Sequence, residues 1–212
     1  MYGKSGGVQN KLLFFSPLSF AFSNYNRIFA IKMFKYVFDM NWLTHIFVWL
    51  SRITQSLGFG VQSPTDYHLV RYVINEHWPY YAYATLGSSD SWKKRKIGLL
   101  CFRLTNWLQP QQVFDACGMA TYVRAACAKT LVSQTLPDRI DFAIVPITMD
   151  VKTLFPHCDD HSLVLFLDVD RHKTLWQHIV DTPCVIISYD LYYCGIVMFD
   201  SKRTKQHYKI NF

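Results

Sequence analysis

"PQQVFDACGMATYVRAAC", residues 110–127, decides how the rest of the chain is read. Pro110 ends whatever precedes it, and QVFDA (112–116) has the apolar and aromatic texture of a buried strand. From Gly118 onward the spacing is helical. A strand, a tight turn and a helix in that order form a common cradle for nucleotide-type cofactors. Such a turn normally needs two or three glycines, and this one has Gly118 alone. The stretch is either a working cofactor loop or the remnant of one.

Downstream the chain is built of short apolar runs. They predict strands at 112–116, 139–145, 162–168, 184–190 and 195–200, and a last strand could follow at 207–212. Helices are expected at about 118–132, 149–156 and 171–181. Alternating strands and helices make a mostly parallel sheet. "YDLYYCGIV" leaves room only for a tight turn, so the sheet should end in an antiparallel hairpin. Upstream, Leu43, Ile46, Phe47, Leu50, Ile53 and Leu57 have the spacing of a helix over 41–57 with one buried face. Ser63 and Pro64 read as the N-cap and first residue of a second helix, with Tyr67, Val70, Val73 and Ile74 as its apolar stripe. A third helix occupies KKRKIGLLCFRLTNWL and stops at Pro110. The organisation is then an extension at 1–39, a helical segment at 40–110 and a sheet domain at 111–212. No internal repeat is present.

Composition narrows the class. Half of the 212 residues are hydrophobic, which excludes a disordered chain over most of its length. The net charge of +7 admits nucleic acid or an anionic membrane as a partner. Most of that charge is scattered. The dense groups, Lys93–Lys96 and Lys202, Arg203 and Lys205, read as solvated faces in preference to nucleic-acid contacts. Six cysteines without a C-x-x-C pair, most of them in apolar runs, read as free thiols of a reducing compartment, with the cytoplasm as default. Cys117, Cys127 and Cys184 are expected to be buried. "KLLFFSPLSFAFS" (11–23) resembles the apolar core of a signal peptide but is too short to span a bilayer. Because folded-protein periodicity starts near Asn41, residues 1–39 read as an unstructured or artefactual extension.

"GFGVQSP", "PYYAY", "KIGLLCFRLTNWLQPQQVFDAC" and the tail "YDLYYCGIVMFDSKRTKQHYKINF" resemble landmarks of a family of small bacterial class I S-adenosylmethionine-dependent methyltransferase-like proteins. The resemblance runs from about Asn41 to Phe212. It implies a Rossmann-like α/β fold with an N-terminal helical segment and a C-terminal antiparallel hairpin. It also implies S-adenosylmethionine as cofactor, held near Asp115, Cys117 and Gly118, with Asp168 as the catalytic residue beside the acceptor. A blander role for Asp168 is to cap the helix that follows it.

This sequence departs from the family pattern in three places. Family glycines fall on Cys117 and near Thr121, where side chains would fill space the cofactor needs. Only 102 residues remain from Gln111, which predicts a shortened sheet lacking the family's second and third strands, and with them a ribose-binding carboxylate. Strand 139–145 ends in Val145-Pro146 where polar residues are expected, and Asp141 lies at its wrong end. The loop therefore reads as a remnant, and the chain as a degenerate methyltransferase-like protein serving as a binding or interaction module. The alternatives are an active methyltransferase on a small-molecule oxygen or nitrogen and, more weakly, a basic RNA-associated protein. "HCDDH" (157–161) contains metal-ligand residue types without a second cluster to complete a site, and no metal is expected. Trp78, Tyr80, Tyr81 and Tyr83 could line a pocket, but read as a seam where helices pack on the sheet.

Overall fold

A computed structural model describes residues 40–52, 61, 63–76 and 78–212. The expectations for residues 1–39 and for the end of the first helix lie outside the described residues. The chain divides into Met1–Val48 and Trp49–Phe212, and the sheet lies wholly in the second unit. Helix α1 spans Met40–Ser51. Of its expected apolar face, the described side chains Ile46, Phe47 and Leu50 are exposed.

The second helix begins as its capping residues require. Ser63 is the N-cap, its hydroxyl accepts from the Asp66 amide, and Pro64 opens α2, Pro64–Leu69. The helix continues as a π-helical turn over Val70–Ile74. Val70, Val73 and Ile74 are buried as expected, but Tyr67 is exposed and Asp66 is buried in its place. The π turn ends against Arg103, a buried guanidinium that donates to the carbonyls of Val73 (2.6 Å) and Ile74 (3.0 Å) and to the Tyr83 hydroxyl (3.2 Å). A positive charge at the carbonyl end of a helix is favourably placed. A 3-10 turn, Tyr81–Ala84, leads to α3, Trp92–Leu108, which is capped by Ser91 and ended by a left-handed Gln109 before Pro110.

Seven strands follow. They are β1 (Gln112–Asp115), β2 (Leu131–Ser133), β3 (Ile140–Pro146), β4 (Cys158–Leu167), β5 (Ile187–Asp190), β6 (Cys194–Met198) and β7 (Gln206–Lys209). Helix α4 (Ala120–Ala126) follows β1, α5 (Val151–Leu154) follows β3, and α6 (Lys173–Asp181) follows β4. The strand order is β2-β1-β3-β4-β6-β5-β7. β1 to β4 are parallel neighbours, β6 runs antiparallel between β4 and β5, and β7 joins the far edge parallel to β5. The architecture is thus α/β with a mixed, mostly parallel seven-stranded sheet, compatible with a Rossmann-like fold. The expected hairpin between 190 and 194 is present.

The sheet is not shortened as expected. A strand does lie between the first helix and β3: Leu131, Val132 and Ser133 pair in parallel with Gln112, Val113 and Phe114. The helix expected over 118–132 stops at Ala126, and Thr130 begins the return, its hydroxyl donating to the Pro110 carbonyl at 2.8 Å. Three residues with an exposed Leu131 carry too little pattern to separate a strand from a helix end.

Strand residues alternate between two cores. Val113, Phe142, Ile144, Leu163, Leu165 and Ile196 face the layer of α2, α3 and α4, while Phe114, Ala143, Val145, Val164, Phe166 and Val197 face α5 and α6. Burial on both faces is why these strands read as unbroken apolar runs. No helix among the described residues is long and apolar enough to cross a membrane.

Helix α3 approaches α4 so closely that one position must be glycine. A Cβ at Gly98 would lie within 3.0 Å of the Tyr122 ring, which is buried and cannot swing aside. An alanine in a helix usually gains about 1 kcal/mol over glycine. Here overpacking against an aromatic ring costs about 1–3 kcal/mol and should outweigh that gain. Gly98→Ala is expected to lower stability by about 1–2 kcal/mol in urea denaturation, and Tyr122→Ala should abolish its penalty in the double variant. A more stable Gly98→Ala protein would contradict the packing.

Candidate functional site at the carboxyl edge of the sheet

The carboxyl ends of β1, β3 and β4 bring most of the expected site residues to one edge. Asp115 closes β1 and is 1% exposed. Its Oδ1 accepts from the Cys117 amide at 3.0 Å, which folds the turn back on the strand. Its Oδ2 is buried and has no hydrogen-bond partner among the described residues. Gly118 follows at φ 72°, a conformation that favours glycine, and a Cβ built there would meet nothing within 4 Å. Met119 then buries its side chain, and α4 starts with no side-chain cap.

Cys117 stands half-buried between two carboxylates. Desolvation, then the charges of Asp115 and Asp168, push its thiol up to about 12, so it is a neutral group that occupies space. Thr121 is exposed on α4. Asp168 follows β4 in a left-handed conformation at the N-cap position of a 3-10 turn, Val169–Arg171, but its side chain makes no capping hydrogen bond, which corrects the capping alternative. Instead it accepts from Lys93 of α3 at 3.0 Å, and the same ammonium reaches Asp170 at 2.8 Å. Lys93 also stands 5.5 Å from the centroid of Tyr193, in the β5–β6 turn. Sequence reading missed Lys93 and Tyr193. Lys93 lay inside a basic run, and only the fold sets it opposite two carboxylates.

Two edges lack the polar groups a nucleotide site would use. β3 ends in Val145-Pro146, where the Ile147 amide donates to the Leu167 carbonyl of β4 at 3.0 Å and the Met149 amide closes the turn on the Pro146 carbonyl at 2.9 Å. β2 ends in Ser133, whose hydroxyl donates to the Thr135 carbonyl at 2.7 Å and accepts from its amide at 3.0 Å. No carboxylate stands at that end. Asp141 is at the opposite edge, where its Oδ2 accepts from the amides of Gln111 and Gln112, both at 2.9 Å.

The remaining constellations have structural roles. In "HCDDH", Asp159 accepts from the His161 amide and the Ser162 hydroxyl and pairs with Arg139 at 3.0 Å, fastening the start of β4. Among the described residues no three His, Cys, Asp or Glu side chains could hold a metal ion. The basic groups are solvated faces only in part: Lys94, Lys202 and Lys205 are exposed, whereas Lys93, Arg95, Lys96 and Arg203 are half-buried. Lys93 and Lys94 are ion-paired, Arg95 donates to the Leu86 and Tyr83 carbonyls, Lys96 lies among aromatic rings, and Arg203 pairs with Asp66. The aromatic run divides: Tyr80 and Tyr83 pack on Phe102, whereas Trp78 and Tyr81 are exposed.

All six cysteines are free, but their burial differs from expectation. Cys101 and Cys194 are buried, Cys117 and Cys127 are half-buried, and Cys184 is exposed. Cys184 precedes β5 rather than belonging to it, since the strand begins only at Ile187. Burial pushes the Cys101 and Cys194 thiols up, whereas a hydrogen bond with the Thr130 side chain, aided by the Lys129 backbone, holds Cys127 below the ordinary thiol range. Native-state thiol labelling followed by mass spectrometry should modify Cys127 first and Cys184 next, with Cys101 and Cys194 protected until unfolding. Early labelling of the latter two would contradict this order.

Comparison with known proteins brings no relative to bear on this site: no family model, no curated protein and no solved structure matches the chain.

Proposed function

We propose that this chain is a class I methyltransferase-like protein whose cofactor turn is degenerate, and that it acts as a binding or interaction module. Support for the lineage comes from the order β2-β1-β3-β4-β6-β5, with one antiparallel strand inserted between two parallel ones at the carboxyl-terminal side. That agrees with the parallel sheet and terminal hairpin of the family the sequence resembles. The observation that carries the degeneracy is Cys117. A half-buried thiol beside Asp115 stands where the family's backbone must be bare. The end of β2 adds to it, with Ser133 and Gln134 in place of a carboxylate. These residues do not fit S-adenosylmethionine well, and no methyl-transfer step is assigned to them.

One observation favours the alternative of an active enzyme. The unpartnered Oδ2 of Asp115, next to a left-handed Gly118 with open space beside it, could accept a hydrogen bond from a ligand. Calorimetric titration with S-adenosylmethionine separates the two readings: weak or absent binding supports the module, and micromolar binding restores the enzyme.

A further inference from the structure

A groove of about 480 Å³ runs along the first two turns of α3, lined by Ser88, Asp90, Trp92, Arg95, Lys96 and Leu99. That volume is within the range of small-ligand sites. Its charges are unbalanced. Among the described lining residues the only carboxylate, Asp90, is already engaged, pairing with Lys94 at 3.0 Å and accepting from the Tyr122 hydroxyl at 2.6 Å. Arg95 donates only to neutral carbonyls, Nε to Leu86 at 3.3 Å and Nη2 to Tyr83 at 2.9 Å, so most of its five N–H groups are uncommitted. The Lys96 ammonium lies 5.1, 5.7 and 4.7 Å from the ring centroids of Trp92, Tyr193 and Phe212. Among the described residues it has no carboxylate partner. Desolvation lowers its pKa from the ordinary lysine value, and a partly buried cation without an anion is a costly arrangement. Beside it, the indole of Trp92 is 58% exposed.

We propose that this groove binds a nucleoside monophosphate, with the phosphate between Arg95 and Lys96 and the base against Trp92. A phosphate monoester carries about −1.5 to −2 charges at neutral pH, which matches two cations. The guanidinium fork suits phosphate oxygens, and an exposed indole face suits any base. The nucleotide is either free or the phosphorylated end of an RNA strand, since the recognised chemistry is the same. The groove does not use the turn after β1, so the inference stands apart from the proposed function.

The test is calorimetry on the full chain with adenosine monophosphate, adenosine, inorganic phosphate, and a short oligoadenylate with and without a 5′-phosphate. Adenosine monophosphate should bind in the micromolar range, with adenosine and phosphate each weaker by roughly tenfold or more. Lys96→Met keeps the apolar stem over the rings and should weaken the nucleotide at least roughly tenfold, while Lys96→Arg should bind like the parent chain. Should Lys96→Met fail to fold, the surface variant Trp92→Leu serves: it should weaken the nucleotide and leave inorganic phosphate unchanged. Tighter binding of the phosphorylated oligomer assigns the site to a strand end, and equal or weaker binding assigns it to the free nucleotide. No binding of adenosine monophosphate, equal binding of the unphosphorylated oligomer, or indifference to both variants overturns the proposal. So does displacement by S-adenosylmethionine, which would put the nucleotide beneath the β1 turn.

Discussion

Titrated with S-adenosylmethionine, the chain is expected to show no saturation below roughly millimolar concentration, about a thousandfold weaker than a micromolar site. Two losses add to that figure. The end of β2 offers Ser133, tied to Thr135, and Gln134. A missing charge-assisted hydrogen bond to a ribose diol costs about 1.5–3 kcal/mol. The side chain of Cys117 beside Asp115 adds a steric penalty of about 1–3 kcal/mol. Their sum, on the order of 4 kcal/mol, is close to a factor of a thousand in affinity. A dissociation constant near micromolar would show that the turn opens enough to admit the cofactor, and the module reading would fall. If the turn is the main obstacle, Cys117→Gly with Thr121→Gly should recover part of the affinity. If the missing carboxylate dominates, the double variant should change little.

Replacing Asp66 with alanine should destabilise the protein by about 3 kcal/mol and lower its melting temperature by roughly 6–12 °C. Asp66 is 1% exposed and holds the helical segment to the last strands. Its Oδ1 accepts from the Tyr189 hydroxyl of β5 at 2.7 Å. Its Oδ2 accepts from Arg203 and, at 3.1 Å, from the Tyr208 hydroxyl of β7. Breaking a buried ion pair from one side costs more than the pair contributes, because its partners stay behind without acceptors. Arg203 is partly exposed and can turn to water, which keeps the effect toward the lower end. Tyr189 cannot, and its hydroxyl would be stranded in the core. Asp66→Asn keeps an acceptor for Tyr189 and should cost about half as much. Thermal unfolding of the three proteins checks the order, and equal loss in both variants would mean that charge, not hydrogen bonding, carries the contact.

The strand–turn–helix at 110–127 was legible because each part obeys local chemistry. Pro110 follows the end of a helix, the apolar pair Val113–Phe114 centres β1, and Gly118 takes the positive φ. The cap at Ser63 and the hairpin at 190–194 belong to the same class, since neighbouring residues suffice to specify them. The parallel order of the central strands also follows, from the alternation of strands and helices. Other features were settled by distant partners. β2 is a strand only because β1 offers it an edge, and its three residues have no period of their own. Asp66 could not be read as buried, because Tyr189, Arg203 and Tyr208 come from more than a hundred residues away. Lys93–Lys96 looked like a solvated face until folding set Asp168, Asp170, Asp90 and three aromatic rings around it. The sequence by itself determined the strand–turn–helix, the terminal hairpin, the parallel order of the central strands and the residue types at the edge of the sheet. Only the tertiary structure decided which charges are paired and which carboxylate oxygen is left without a partner, because those depend on contacts that no local spacing records.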